Sequence, residues 1–128
     1  MVDVIKVTDA GMSIVTNRLK DSGTTPHYVH WGIGTTGAAN DDTAMESAGA
    51  HESRTAGTMT QQTTNVSNDT YQVVGTITCA TGAKAITEAG LFDASTSGNM
   101  FLRGTFSAIN VNVADSIEFT VKAAFDQA

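Results

Sequence analysis

The sequence predicts a mainly β fold, an antiparallel β-sandwich or jelly-roll-like barrel with one short N-terminal α-helix. Three observations carry this expectation. Residues 70–79 alternate Tyr71, Val73, Gly75, Ile77 and Cys79 against Gln72, Val74, Thr76 and Thr78. Residues 116–125 alternate more cleanly, with Ile117, Phe119, Val121, Ala123 and Phe125 inward and Glu118, Thr120 and Lys122 outward. Between them, residues 84–93 and 99–107 read as two strands joined by the polar turn Ser95-Thr96-Ser97-Gly98-Asn99, with Leu91, Phe92, Phe101, Leu102 and Phe106 to bury. Burial with period two is what a strand in a two-layer β structure requires. Several such runs separated by Gly, Asn, Ser and Asp turns read as a sandwich or small barrel.

The remaining elements follow in chain order. Residues 2–7 alternate weakly and fit a short strand or an extended N-terminal arm. Thr8 and Asp9 offer a helix N-cap, Met12, Val15 and Leu19 recur at helical spacing, and Gly23 with Pro26 ends the run. A short amphipathic helix is therefore predicted over 9–21. Pro26 to Ile33 reads as a strand carrying Tyr28, Val29 and Trp31. Residues 34–51 hold few large apolar groups and form a long loop, with a single helical turn expected around Asp42–Met45. Loops of this length in compact domains usually carry function or interaction. Residues 52–66 are threonine-rich and read as an exposed or edge pair of strands. No internal repeat or linker divides the sequence, so residues 1–128 are expected to form one β domain.

Composition narrows the function. Charged residues make up only 16% of the chain, and 20 threonines fill polar positions instead. Threonine is β-branched and suits a pleated surface, so this composition fits a protein fixed in an assembly. The net charge is −6, with seven scattered basic residues. Nucleic acid is an unexpected partner for such a chain, and so is an anionic membrane surface. The lone cysteine, Cys79, lies on the Tyr71/Val73/Ile77 face and reads as a buried, inert thiol. The N-terminal residues carry charges at Asp3 and Lys6 and do not read as a signal peptide, and no apolar run is long enough to span a bilayer.

The candidates for chemistry are weak. Gly32-Ile33-Gly34-Thr35-Thr36-Gly37 matches a dinucleotide fingerprint in letters, but residues 38–51 lack the apolar periodicity of a crossover helix. A glycine-rich loop is the reading it supports. His27 and His30, three apart in a predicted strand, project to opposite faces, and His51 has no ligand cluster beside it. Asn40-Asp41-Asp42 lacks the spacing of a calcium loop. Glu88 and Asp93 also project apart, and Glu88 is better placed to pair with Arg103 across the hairpin. The chain is expected not to be an enzyme, with no catalytic residue, cofactor or metal.

Four segments in order carry a family resemblance. They are Asn17 to Gly23; Tyr28 to Thr36 with Asp41 to Met45; Glu52 and Arg54 opening a threonine-rich strand; and Ile86 to Ala94 with Phe101 to Phe106. Together they resemble small structural proteins of tailed bacteriophages, in which a W-G-x-G-T-T loop precedes E-A-G-L-F-D. The resemblance runs from about residue 8 to residue 125. It implies a virion protein, and the first expectation is a capsid decoration (cement) protein. Such a protein sits on the capsid surface, is assembled in the host cytoplasm and stabilises the shell by bridging capsomers.

Its partners would be the major capsid protein and itself, as a homotrimer whose three contacts add up to high avidity. Val2, Val4, Ile5 and Val7 could add a strand to a neighbouring sheet edge. Tyr28, Trp31 and Met45 are candidate contact anchors, with a core position as the other reading of Trp31. Deleting residues 1–7 is then expected to abolish particle binding without unfolding the domain. The alternative is a tail, baseplate or fibre-associated structural or adaptor protein.

Overall fold

A computed structural model describes residues 2–48 and 52–127. The alternating runs become strands, and the elements in order are β1 (Val2–Val7), α1 (Asp9–Leu19), β2 (Tyr28–Gly32), β3 (Thr55–Ala56), β4 (Thr58–Gln62), β5 (Thr70–Thr78), β6 (Lys84–Phe92), β7 (Met100–Val111) and β8 (Ser116–Ala124). They form two antiparallel sheets, one ordered β1-β7-β6-β2-β3 and the other β4-β5-β8. The expected mainly β sandwich with a single short helix is the architecture found.

The inward faces meet as period two requires. Val29 and Trp31 of β2, Val73 and Ile77 of β5, and Ile86 and Leu91 of β6 are buried together, with Ile117, Phe119 and Val121 of β8 packed against them. Trp31 meets Phe119 edge-on, with ring centroids 6.4 Å apart, a favoured aromatic geometry. The opposite face of the five-stranded sheet carries a second cluster of Met45, Phe92 and Met100, with Tyr28 against it. That sheet is thus covered on both sides, by the smaller sheet on one and by the loop after β2 on the other.

A bulge in the β6–β7 hairpin serves this double burial. Phe92 pairs with Met100 and Leu91 with Leu102, which leaves Phe101 as the extra residue. Two neighbours in sequence, Phe101 and Leu102, then both reach the main core.

Of the two readings of the segment 2–7, the strand is the one found, because β1 pairs with β7 from Val2↔Phe106 to Val7↔Leu102. Five details differ from the sequence expectation. The helix ends at Leu19, with Asp21 and Gly23 at positive φ just beyond it. Its buried face is Gly11 and Ile14, whereas Met12 and Leu19 are 62% and 82% exposed. The reason is Gly11: a Cβ there would lie 2.2 Å from the Phe101 carbonyl oxygen, so only glycine lets the helix rest on the β7 backbone.

The other three differences concern strands and loop. β3 and β4 do not pair with each other; β3 joins β2 and β4 joins β5, and the chain changes sheet at Gly57. A Cβ at Gly57 would lie 2.5 Å from Val73 Cγ1. No helical turn forms at Asp42–Met45; the N–H groups of Glu46 and Ser47, which such a turn would direct at the carbonyls of Asp42 and Thr43, donate to the Glu88 carboxylate instead. Phe125, expected inward, lies past the end of β8 and is 60% exposed.

Candidate functional site

The glycine-rich stretch and the E-A-G-L-F-D stretch meet at one carboxylate. Glu88 is fully buried on β6, on the face covered by the loop. It accepts hydrogen bonds from the backbone N–H groups of Gly34 at 3.1 Å, Glu46 at 3.1 Å and Ser47 at 2.8 Å, and from Arg103 Nε at 2.7 Å. Arg103, 1% exposed, also donates to Asp42 Oδ2 and to the Thr36 carbonyl, both at 2.9 Å. The Glu88–Arg103 pairing expected from the hairpin is therefore present, with Asp42 as a third member. Burial alone would lower the pKa of Arg103, but hydrogen bonds to Glu88 and Asp42 outweigh it and the net direction is upward.

This geometry explains the glycines. A Cβ at Gly32 would lie 2.3 Å from Glu88 Oε1, and one at Gly34 would lie 2.7 Å from the same atom. Neither position tolerates a side chain while the carboxylate occupies its place. Gly37 has nothing within 4 Å of an added Cβ. The first two glycines of the fingerprint make room for a protein carboxylate, and no phosphate cradle is needed to account for them.

The loop is fastened at further points. Thr87 Oγ1 donates to the Gly34 carbonyl at 2.6 Å, and the Ile33 N–H donates to the Ser47 carbonyl at 2.9 Å. Glu46 Oε1 accepts from the N–H groups of Thr35 and Thr36. Asp42 Oδ2 accepts from the Ala39 N–H at 2.8 Å.

A second carboxylate, Glu52, ties β2 to the β5–β6 turn. It accepts from Trp31 Nε1 at 3.1 Å, from the Ala80 N–H at 2.9 Å and from Lys84 Nζ at 2.8 Å. Burial would raise its pKa, but Lys84, the Ala80 N–H and the Trp31 N–H together bring it down to about 2. Arg54 clamps the hairpin turn, donating to the carbonyls of Ala94 at 2.9 Å and Ser97 at 2.6 Å while its guanidinium lies 3.6 Å from the Phe92 ring centroid.

The candidate contact residues divide by exposure. Trp31 and Met45 are core residues, 1% and 7% exposed. Neither presents a side chain at the surface of the chain. Tyr28 is half-buried beside the His27 ring. Val2 and Val4 lie in β1 opposite Phe106 and Thr105. Val7 is packed partly against the core, whereas Ile5 is 49% exposed. Around Ile5 lie exposed apolar groups that periodicity assigned to the interior, Met12 of α1 and Phe125 after β8.

His27 Nδ1 is bonded to the Thr25 carbonyl and His30 Nε2 to the Glu52 carbonyl; burial lowers the pKa of His30. His51 lies outside the described residues. Cys79 is buried, with Lys84 Nζ at 3.3 Å from its sulfur.

A family model described as podophage GP4 fiber I protein gp80 matches residues 15–124 of the chain. No curated protein and no solved structure matches it. The matched family is one of phage structural proteins, which agrees with the class the sequence resembles. It favours the fibre alternative over capsid decoration.

Proposed function

Because the chain belongs to the family of the podophage GP4 fiber I protein gp80, we propose that it is a non-enzymatic fibre component of a tailed-phage virion. It works as a rigid β unit that holds a shape and presents surfaces to its neighbours. The family match over residues 15–124 is the observation that carries this reading. The geometry is consistent with it. The buried carboxylates Glu88 and Glu52 are spent on fastening loops to strands. Polar groups that are fully engaged in this way rigidify a fold.

In this reading the partners are other virion proteins and further copies of the same chain, with no role for nucleic acid or membrane. The contact surface is proposed at the outer edge of β1 and the exposed apolar groups beside it, Ile5 and Met12. Trp31 and Met45 serve the core and the loop beneath.

Quantitative mass spectrometry of purified virions tests the proposal. A copy number far below that of the major capsid protein, with the chain fractionating with detached fibres, is expected. A copy number near that of the capsid protein, with the chain retained on tailless heads, would overturn it in favour of shell decoration.

A further inference from the structure

The four edges of the two sheets are not equivalent. β1 carries a register shift between Val2 and Val4, β3 has two residues, and β4 has five. β8 is a nine-residue edge strand paired with β5 from Thr70↔Ala124 to Thr78↔Ser116 without a shift. It contains no proline and only two charged residues, Glu118 and Lys122. Natural sheets usually blunt such an edge, because its unpaired N–H and C=O groups template another strand.

The hydrogen-bonding parity of β8 is fixed by the bonds at its two ends. The Phe125 N–H donates to the Asp69 carbonyl, and the Asp115 carbonyl accepts from the Cys79 N–H. Paired residues of an antiparallel ladder alternate between bonded and non-bonded, so the odd-numbered residues of β8 point their backbone groups at β5. The even-numbered residues, Ser116, Glu118, Thr120, Lys122 and Ala124, point theirs at the open edge.

We propose that β8 pairs with β8 of a second copy, antiparallel about a twofold axis at Thr120, to make one continuous six-stranded sheet. Thr120 is the midpoint of Ser116–Ala124, so this register pairs the strand over its full length. It sets even-numbered residues against even-numbered residues, as the open edge requires. Glu118 of each copy then faces Lys122 of the other on the exposed face, and Thr120 faces Thr120.

On the inner face, Phe119 meets Val121 and Ile117 meets Ala123. Opposite-charge, Thr–Thr and aromatic–β-branched pairs are all favourable across strands. Registers centred on Glu118 or on Lys122 would instead oppose like charges. The contact is isologous and closes at two copies, in place of the threefold arrangement expected from the sequence. It stands on the strand alone and is independent of the fibre assignment.

The apolar surface beside the strand fits the same occupant. A groove between β8 and the β1–α1 corner is lined by Ile5, Val7, Met12, Val15 and Phe125. A second copy docked along β8 would shield it.

The full chain is tested by light scattering coupled to size-exclusion chromatography, with three variants. The unsubstituted protein is expected at twice its monomer mass. Lys122→Glu opposes two carboxylates at each end of the contact and is expected to raise the dimer dissociation constant by about tenfold or more. Glu118→Lys combined with Lys122→Glu restores the opposition and the dimer. Thr120→Pro removes an N–H that faces the open edge while sparing the ladder to β5, and is expected to give a monomer with unchanged circular dichroism.

Hydrogen exchange supplies a second readout, with the N–H groups of Glu118, Thr120 and Lys122 protected only in the dimer. A monomer or trimer for the unsubstituted protein, or a dimer indifferent to Lys122→Glu and Thr120→Pro, would overturn the proposal.

Discussion

The Glu88 carboxylate accepts a hydrogen bond from the Gly34 N–H at 3.1 Å across 54 residues of chain. The absence of a side chain at Gly34 is what lets the two approach, since a Cβ there would lie 2.7 Å from Glu88 Oε1. Two of the four stretches that carry the family resemblance are therefore one structural device, a carboxylate and the cavity that receives it.

The three glycines of the loop are expected to respond differently to alanine. Gly32→Ala and Gly34→Ala force Glu88 out of its place and are expected to cost several kcal/mol, on the order of breaking a buried polar network. Gly37→Ala meets nothing within 4 Å and is expected to stay within about 0.5 kcal/mol of the parent. Urea denaturation of the three variants checks this, and equal losses at all three positions would contradict it.

Removing the carboxylate itself is expected to be severe. Glu88→Ala leaves Arg103 with Asp42 as its one carboxylate among the described residues, beside the Thr36 carbonyl, and orphans the N–H groups of Gly34, Glu46 and Ser47, a loss of about 3–5 kcal/mol. Replacing both ions, Glu88→Leu with Arg103→Met, is expected not to recover the parent stability. Among the described residues, three of the four Glu88 bonds run to backbone, and those donors stay unsatisfied. Full recovery in the same denaturation assay would mean that the ion pair, rather than the loop attachment, carries the energy.

Acid is expected to loosen the tie between β2 and the β5–β6 turn. The Glu52 carboxyl is depressed from 4.5 to about 2 in the folded chain. A depressed carboxylate contributes its full stabilisation above the unfolded value, and that contribution is lost as pH falls through the folded one. Stability should therefore decline from about pH 4.5 towards pH 2, and Glu52→Gln should flatten part of that decline. Asp69, held well below its ordinary value by the N–H groups of Val66, Thr64 and Asn65 and by Thr70, accounts for a further part. Thermal midpoints measured across this range test the sign.

Deleting residues 1–7 is expected to destabilise the fold, contrary to the behaviour of a free arm. β1 supplies the outer ladder of β7, and Val7 packs against the core that Phe101 and Leu102 join. The truncated chain should show a lowered urea midpoint and faster amide exchange along β7. Unchanged exchange would restore the arm reading.

Arg54 joins the hairpin turn to the second cluster by a stacked guanidinium and two carbonyl bonds. Arg54→Ala is expected to cost about 1–3 kcal/mol, and Arg54→Lys to recover only a fraction of it. An ammonium lacks the planar fork that stacks on Phe92 and reaches both carbonyls. Denaturation midpoints of the two variants separate charge from geometry.

Much of the fold is legible where a local pattern fixes the answer. The runs 70–79 and 116–125 state their strand character in their alternation, and Thr8 states the helix start, where its Oγ1 accepts from the Gly11 N–H at 3.0 Å. The helix face is not legible. Met12 and Leu19 are apolar at helical spacing, but the close backbone approach at Gly11 decides which side faces β7. Nor is the sheet change at Gly57, since residues 52–66 read as an exposed or edge pair of strands whichever partner each half takes. Glu88 could be paired with Arg103 from the hairpin alone. The three loop N–H groups that complete its shell come from residues 34, 46 and 47, whose approach is a tertiary event.

The same clamp sets an order in time. Glu88 and Arg103 lie 15 residues apart within one hairpin, whereas Gly34, Ser47 and Glu46 reach Glu88 across 54, 41 and 42 residues. Local contacts form ahead of distant ones because closing a long loop costs more entropy. The hairpin with its paired ions is thus expected to assemble first, and the segment 33–48 to lie down on it last. That segment has no strand ladder of its own and is held by a few side chains, so it should also open as one unit ahead of the sandwich. A chain that has folded everything else would for that interval expose Phe92, Met100 and a half-satisfied ion pair, which makes the docking of this segment the step at which misassembly is most exposed.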